Sequence, residues 1–464
     1  MTTGINWNNL LKASKIHGVI YPESFDPDEV AFAGKNLGRS DYESYLHGSD
    51  FSRVESLRWK HIASAENIGG IKYPGSFDIE NADFSRKDIS KSDFGRVNYL
   101  DWSIIKDASE IWGITYPESF KTENLDWNGR FIAGSDFKYV EELKWIHLQS
   151  VWGLTDLVYP PNFDIEKADF NEKNISGSDF SRVSELKWDQ ISKTEFLFRI
   201  IFPEEFDIEN ADFNEDIMGK PRDLTDCDFS RVRCLEWDQI KNAAEHSGIV
   251  YPEAFNVKEA SFEGKDISRS DFSRVKQLSW EDIEWAEDAS GIIFPETFDP
   301  ETINSEGRNF SGNDFSRVKG LKWEHIKNAR YMAGIVYPED FDIENADFTG
   351  LDLRFSDFSR VKSLKWEQIQ MAGSDLRGIV YPSGMDLTKA DFTGREIGGS
   401  DFSGVKGLSW HQMIGQKGLK KLLRIKKSMR GIVYPSEIDL HQINFEGYDM
   451  SYSDFSAFTA PKKK

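Results

Sequence analysis

Residues 321–361 read LKWEHIKNARYMAGIVYPEDFDIENADFTGLDLRFSDFSRV, and this stretch decides the fold because the chain repeats it. Its Leu-x-Trp tryptophan, Trp323, has counterparts at Trp59, Trp102, Trp145, Trp188, Trp237, Trp280, Trp366 and Trp410, usually 43 residues apart, with Trp7 as a worn first copy. An aromatic-Pro pair follows, as in Tyr73-Pro74, Tyr116-Pro117, Phe202-Pro203, Tyr251-Pro252 and Tyr337-Pro338. In eight of the ten copies the tryptophan stands 14 residues before that aromatic. Register this strict over 464 residues means that each copy packs on its neighbours, which is the signature of a solenoid rather than of independent domains.

Within the quoted copy, Trp323, Ile326 and Ala329 step by three through good helix formers, which predicts a short amphipathic helix of about ten residues from Lys322. Gly334 sits where a helix end favours a left-handed residue, with counterparts at Gly18, Gly70, Gly113, Gly248, Gly291, Gly378 and Gly431. Asp156 and Arg199 replace it in two copies. Ile335-Val336-Tyr337 is β-branched and aromatic and is stopped by Pro338, so it reads as a strand ending in a turn. Phe348, Leu353 and Phe358 then follow five apart, a period that fits neither a helix nor an ordinary strand.

These last segments, Ala346-Asp347-Phe348, Leu351-Asp352-Leu353 and Ser356-Asp357-Phe358, resemble the pentapeptide-repeat family, whose unit is a small residue, Asp or Asn, Leu or Phe, and two polar residues. The same pattern stands at Ala82-Asp83-Phe84, Lys87-Asp88-Ile89 and Ser92-Asp93-Phe94. The resemblance covers about 15 of every 43 residues and implies a right-handed, four-sided β-helix, with Phe84, Ile89 and Phe94 inside and Asp83, Asp88 and Asp93 on the surface. That family uses four pentapeptides per coil, whereas this chain supplies three and then inserts a helix and a strand. One coil per copy is therefore expected: an α/β repeat solenoid of right-handed β-helix-like coils with one short helix per coil. Strands stack about 4.8 Å apart and helices about 8–10 Å apart, so the solenoid is expected to be curved, helices convex and pentapeptide faces concave. Residues 1–410 form nine such copies; residues 411–464 form a tenth, with a basic insert at 416–430 and a basic tail.

Composition limits the function classes. Net charge is −22, and residues 411–464 carry ten Lys or Arg against five Asp or Glu, which leaves −27 for residues 1–410. Such a body repels nucleic acid, so direct nucleic-acid binding is not expected. Two cysteines, Cys227 and Cys234, give no disulfide framework and fit a reducing compartment. Met1 to Ile20 lacks the pattern of a secretory signal and no stretch approaches membrane-spanning length. The expected localisation is cytoplasmic, or a host cell reached by a signal-less export route.

Candidate catalytic groups do not converge. His61, His147 and His325 share a position with Gln190, Gln239, Asp282 and Gln368, an interchange that marks a tolerant helix-surface site rather than a metal or proton-transfer role. No phosphate loop, nucleophile elbow or Cys/His metal spacing is present, and neither cofactor nor metal is expected. Charge is instead laid out in rows. Asp228, Asp271, Asp314 and Asp357 precede the third Phe of their copies, and Arg274, Arg317 and Arg360 follow it by two, as Arg53, Arg96, Arg182 and Arg231 do. Either Arg of one copy neutralises Asp of the next, or both rows face a partner.

Two copies carry insertions in the pentapeptide segment, between Phe32 and Phe51 and between Phe213 and Phe229 around Met218-Gly219-Lys220-Pro221; each reads as a projecting loop, by drift or for a partner. In the tenth copy the insert runs Lys417, Lys420, Lys421, Arg424, Lys426, Lys427, Arg430 without an acid, and Leu419, Leu422 and Leu423 fall on one side at helical spacing. This basic amphipathic helix reads as an enlarged cap or as a contact with anionic membrane or a partner. The whole points to a non-enzymatic scaffold that binds a protein partner through an acidic concave surface, in the manner of a bacterial effector. The alternative is a DNA mimic that binds a topoisomerase or another nucleic-acid-binding protein.

Overall fold

The computed structural model describes residues 5–458 except 39–47, 128, 152, 195, 217, 415–426 and 442. The chain divides into two compact units: Lys121–Ala346, the mid-chain unit, and Met1–Phe120 with Asp347–Lys464, the end-chain unit. Among the described residues no helix is long and apolar enough to cross a membrane.

The mid-chain unit is built on one ladder of parallel bridges, each a single residue wide. Asp136, Val158, Asp179, Ile201, Asp228, Val250, Asp271, Ile293, Asp314 and Val336 pair in that order. Successive rungs lie 21 or 22 residues apart, except across the insertion between Ile201 and Asp228. The chain thus returns to the ladder twice per 43-residue copy. This corrects the expectation of one coil per copy, and with it that of an α-helix in every coil, since the α-helix comes once per copy: the aromatic-Pro run and the Ser-Asp-Phe run are alternate rungs of one ladder. A second ladder pairs Asp223 with Glu245, Asp266 with Asp288 and Asn309 with Tyr331. Among the described residues the longest strands are the two-residue pairs Lys427–Ser428 and Tyr448–Asp449, because a corner follows almost every bridge.

The core carries stacked aromatic pairs at strand spacing, repeated from copy to copy. Tyr251 stacks on Phe272 of the next rung at 4.6 Å and 13°, and Phe294 stacks on Phe315 at 4.7 Å and 7°. Phe84, Ile89 and Phe94, read as inward positions, are all fully buried. The Tyr251 hydroxyl is buried without a hydrogen-bond partner, and two copies carry Phe202 or Phe294 at its position. An unpaired buried hydroxyl costs about 1–3 kcal/mol. Tyr251→Phe is therefore expected to raise the urea midpoint, by about 1 kcal/mol in stability; a lowered midpoint would show a hidden partner.

The helices are single turns, as in Trp237–Ile240, Trp280–Ile283 and Trp323–Ile326, each starting at the repeat tryptophan. They are shorter than the ten residues expected because neighbouring coils take over the backbone: Lys327 N still donates to Trp323 O at 2.9 Å, but Arg330 N donates to Arg308 O at 2.8 Å. The splaying argued from one full helix per coil loses its premise. Trp102, Trp280, Trp323, Trp366 and Trp410 are buried, whereas Trp59, Trp145, Trp188 and Trp237 are half-buried. Where the sequence shows glycine before the aromatic-Pro run, the corner is left-handed. Asp156 and Arg199 hold the same corner at φ 55° and 61°, so the turn is kept where glycine is lost.

The end-chain unit has the same ladder, running from Asp357 to Val380, Asp401, Val433 and Asp454, and then to Ile20, Asp50, Lys72, Asp93 and Thr115. The strand of the first copy therefore lies between the last copy and the second.

Candidate interaction surfaces

The aspartates of the main ladder are turn acceptors. The carboxylates of Asp228, Asp271, Asp314 and Asp357 each accept the backbone N–H two residues on, from Ser230, Ser273, Ser316 and Ser359, all at 2.7 Å. All four are half-buried. An Asp side chain closes such a turn by replacing a backbone acceptor, which accounts for the residue type without any partner.

Arg274, Arg317 and Arg360 are exposed. Because Asp271 pairs with Val250 and Asp314 with Ile293, three residues further along Arg274 stands beside Glu253 and Arg317 beside Glu296. The Glu253 carboxyl is held below its usual range by a hydrogen bond and the charge of Lys276, and further by Arg274; Lys319 and Arg317 act on Glu296 in the same order. Lys276 and Glu253 form an ion pair at 2.9 Å. The Arg row is thus interleaved with a Glu row from the aromatic-Pro coil. The neutralising partner expected from the sequence, Asp of a neighbouring copy, is replaced by Glu one rung away, because the extra rung per copy was hidden.

On the second ladder Asp223, Asp266 and Asp288 accept the N–H of Thr225, Ser268 and Ser290 in the same way, but acids stand on the alternate rungs too. Asp223 pairs with Glu245 and Asp266 with Asp288. Gly248 N donates to Ser268 O at 2.7 Å, which sets the rung of Glu245 beside that of Asp266. Four acids thus occupy successive rungs of the mid-chain unit, with Asp223 and Glu245 exposed and Asp266 and Asp288 half-buried. One ion pair, Arg269 with Asp226 at 2.8 Å, lies beside them. Sequence reasoning missed this column because two of its members come from pentapeptides and two from the segment after a helix. Folding the sequence at 21 or 22 residues instead of 43 would have aligned them.

The shared His/Gln/Asp position is a cap. Lys322 N donates to His325 Nδ1 at 3.1 Å, Glu236 N to Gln239 Oε1 at 2.9 Å and Ser279 N to Asp282 Oδ2 at 2.8 Å. Each residue presents an acceptor to the N–H that precedes its helical turn, one half of a capping box. The His61 and His325 side chains are 7% and 11% exposed, so the reading as a tolerant surface site is corrected: the position tolerates any acceptor of suitable reach.

Among the described residues no three His, Cys, Asp or Glu side chains are placed to hold a metal ion. Burial pushes the Cys227 thiol up to about 12, and its Sγ donates to Leu197 O. A cavity of about 70 Å³ between Trp280 and Arg308 is far below the roughly 300–1,000 Å³ of ordinary small-molecule sites.

The insertion around Gly219 is a tight hairpin: Asp216 N donates to Lys220 O, the Asp216 carboxylate accepts from Met218 N and Lys220 N, and Met218 is 75% exposed at the tip. Of the basic insert, Lys420, Lys421, Arg424 and Lys426 lie outside the described residues, as does the loop at 39–47. Lys427 is described, and it opens a strand paired in parallel with Tyr448–Asp449, so the helix expected across 416–430 does not reach its end.

No protein-family model and no curated protein matches the chain. One solved structure is similar in part: HetL, a pentapeptide repeat protein involved in heterocyst differentiation regulation from the cyanobacterium Nostoc, at 11% identity and a TM-score of 0.10, covering 68% of this chain and 89% of that one. A likeness this slight leaves the repeat itself as the ground for reading the chain as a tandem-repeat solenoid.

Proposed function

We propose that this chain is a non-enzymatic interaction scaffold whose coils are those of a right-handed pentapeptide-type β-helix, two per 43-residue copy, and whose partner is a protein with a basic surface. The observation that carries the reading is the column Asp223, Glu245, Asp266 and Asp288 on successive rungs. Carboxylates about 4.8 Å apart along a line repel one another and gain by facing cations. The ladder aspartates, Asp228, Asp271 and Asp314, alternate with the apolar rungs Val250, Ile293 and Val336 and so stand two rungs apart, whereas the second ladder carries an acid on every one of these four rungs. The Arg–Glu rows give a face of mixed sign, which favours a protein scaffold over a DNA mimic, whose surface would carry one sign throughout.

The test uses an oligolysine peptide as probe. Asp223→Asn, Glu245→Gln, Asp266→Asn and Asp288→Asn together keep every acceptor and remove four charges. At about 0.2–1 kcal/mol per exposed pair, affinity is expected to fall by about fourfold to several hundredfold, with a shallower salt dependence. Asp228→Asn, Asp271→Asn and Asp314→Asn together are expected to leave affinity near that of the parent. Equal loss in both sets would move the interface off this column, and inhibition of a topoisomerase by the parent would revive the mimic.

A further inference from the structure

We propose that the joint between the first and last copies is an exchangeable interface, and that the occupant able to replace the chain's own end is a second copy of the same chain. Ser14 N and Oγ both donate to Tyr448 O, across 434 residues of sequence. Met450 N donates to Lys15 O at 3.2 Å, Tyr452 N to His17 O at 3.0 Å, Ile20 N to Ser453 O at 3.1 Å and Phe455 N to Ile20 O at 3.3 Å. Lys15 and Asp449 add an ion pair at 3.4 Å, and the Trp7 ring meets Phe455 edge-on at 6.2 Å.

This joint repeats the other rungs in kind. Ile20 lies between Asp454 and Asp50 as Val250 lies between Asp228 and Asp271. The other bridged rungs of the ladder lie 21 to 32 residues apart in sequence, but Ile20 and Asp454 are not joined by any such short segment. Opening it would expose Ile16, Val19, Tyr21 and Phe455, each at most 3% exposed, together with two unpaired strand edges. Such edges are templates for pairing, so an open joint is closed by whichever matching edge is nearest. In dilute solution that is the chain's own end, held at high effective concentration. In concentrated solution during folding it is the end of another copy, which offers the same hydrogen bonds and the same apolar faces. Two chains that exchange ends reciprocally give a closed dimer with no new contact.

The geometry also supplies the test. Ile20 and Asp454 are paired and half-exposed, at the strand spacing a disulfide can span. In the full chain carrying Ile20→Cys, Asp454→Cys and Cys234→Ser, refolding from dilute solution followed by oxidation is expected to give a monomer with an internal 20–454 disulfide. Refolding from concentrated solution is expected to give a covalent dimer through the same two positions, identified by non-reducing electrophoresis and peptide mapping. Two copies mixed with different isotope labels would show the cross-link between labels only in the second case. An internal link at every refolding concentration overturns the proposal, as does a dimer linked through other positions. Gly18→Val adds a control, because a side chain there overlaps the Tyr452 ring that covers Gly18. It is expected to abolish the exchanged dimer, and a dimer formed equally well by this variant also counts against the joint.

Discussion

Phe272→Ala is expected to destabilise the mid-chain unit by about 3–5 kcal/mol, the usual range for removing a fully buried phenylalanine. The ring has no exposed surface, stacks on Tyr251 at 4.6 Å and meets Phe262 edge-on at 5.8 Å. Neither neighbour can follow it into the gap. The backbone on both sides is held by the ladder, with Phe272 N donating to Ile293 O at 3.0 Å and Asp271 N to Ile249 O at 2.9 Å. A cavity therefore remains, and rings that gain from stacking lose a partner. Urea unfolding followed by tryptophan fluorescence would measure the loss, and hydrogen exchange should place it first at the rungs of Val250 and Ile293. A loss under about 1 kcal/mol would mean that the stacked aromatic pairs are not the core.

The second large effect is a dependence on pH centred on His246. Its ring is 1% exposed and lies against Trp237 at 5.6 Å, with Nε2 donating to Ile240 O at 3.0 Å. Burial, and then the charge of Lys265, lower its pKa from 6.5 to about 4. Below pH 6.5 the unfolded chain takes up a proton that the folded chain refuses. Stability from this group is thus complete above pH 6.5, falls as the pH drops, and stops falling near pH 4, where the folded imidazole also protonates. The difference corresponds to about 3 kcal/mol. His246→Gln keeps a donor for Ile240 O and does not titrate. Urea midpoints of parent and variant are expected to converge between pH 7 and pH 4, and a constant offset would assign the dependence to other groups.

Much of this architecture was legible from residues alone. The 43-residue period and the inward Phe84, Ile89 and Phe94 are local patterns of hydrophobicity and turn chemistry, while the strand expected before each Pro shrinks to one bridged residue, as at Val250 and Val336. The coil count was hidden because the two coils of a copy share almost no sequence: Val250-Tyr251-Pro252 and Asp271-Phe272-Ser273 are equivalent only as rungs. From that one miss follow the others. With half the rungs unseen, Arg274 had no Glu253 beside it and Asp266 no Glu245. The aspartates of the ladder looked like surface charge because a side chain that closes its own turn leaves no trace in spacing. The capping role of His325, Gln239 and Asp282 was equally silent, since three different residue types share only an acceptor atom. Nothing in sequence separation could bring Ser14 to Tyr448.

The unlike coils also bear on how such a chain can gain or lose length over generations. At the left-handed corners a side chain of one coil often covers a glycine of the next: an added Cβ at Gly177, Gly248 or Gly378 would overlap Asp156, Asp226 or Phe355. The α-helical turns likewise occur in every second coil, and 3-10 turns such as Val257–Glu259 and Ile343–Asn345 lie in the coils between them. Unequal recombination that removes or duplicates 43 residues puts each surface back against its accustomed neighbour. A 21-residue event sets side chain on side chain and helix on helix, so heritable change in length should come in pairs of coils.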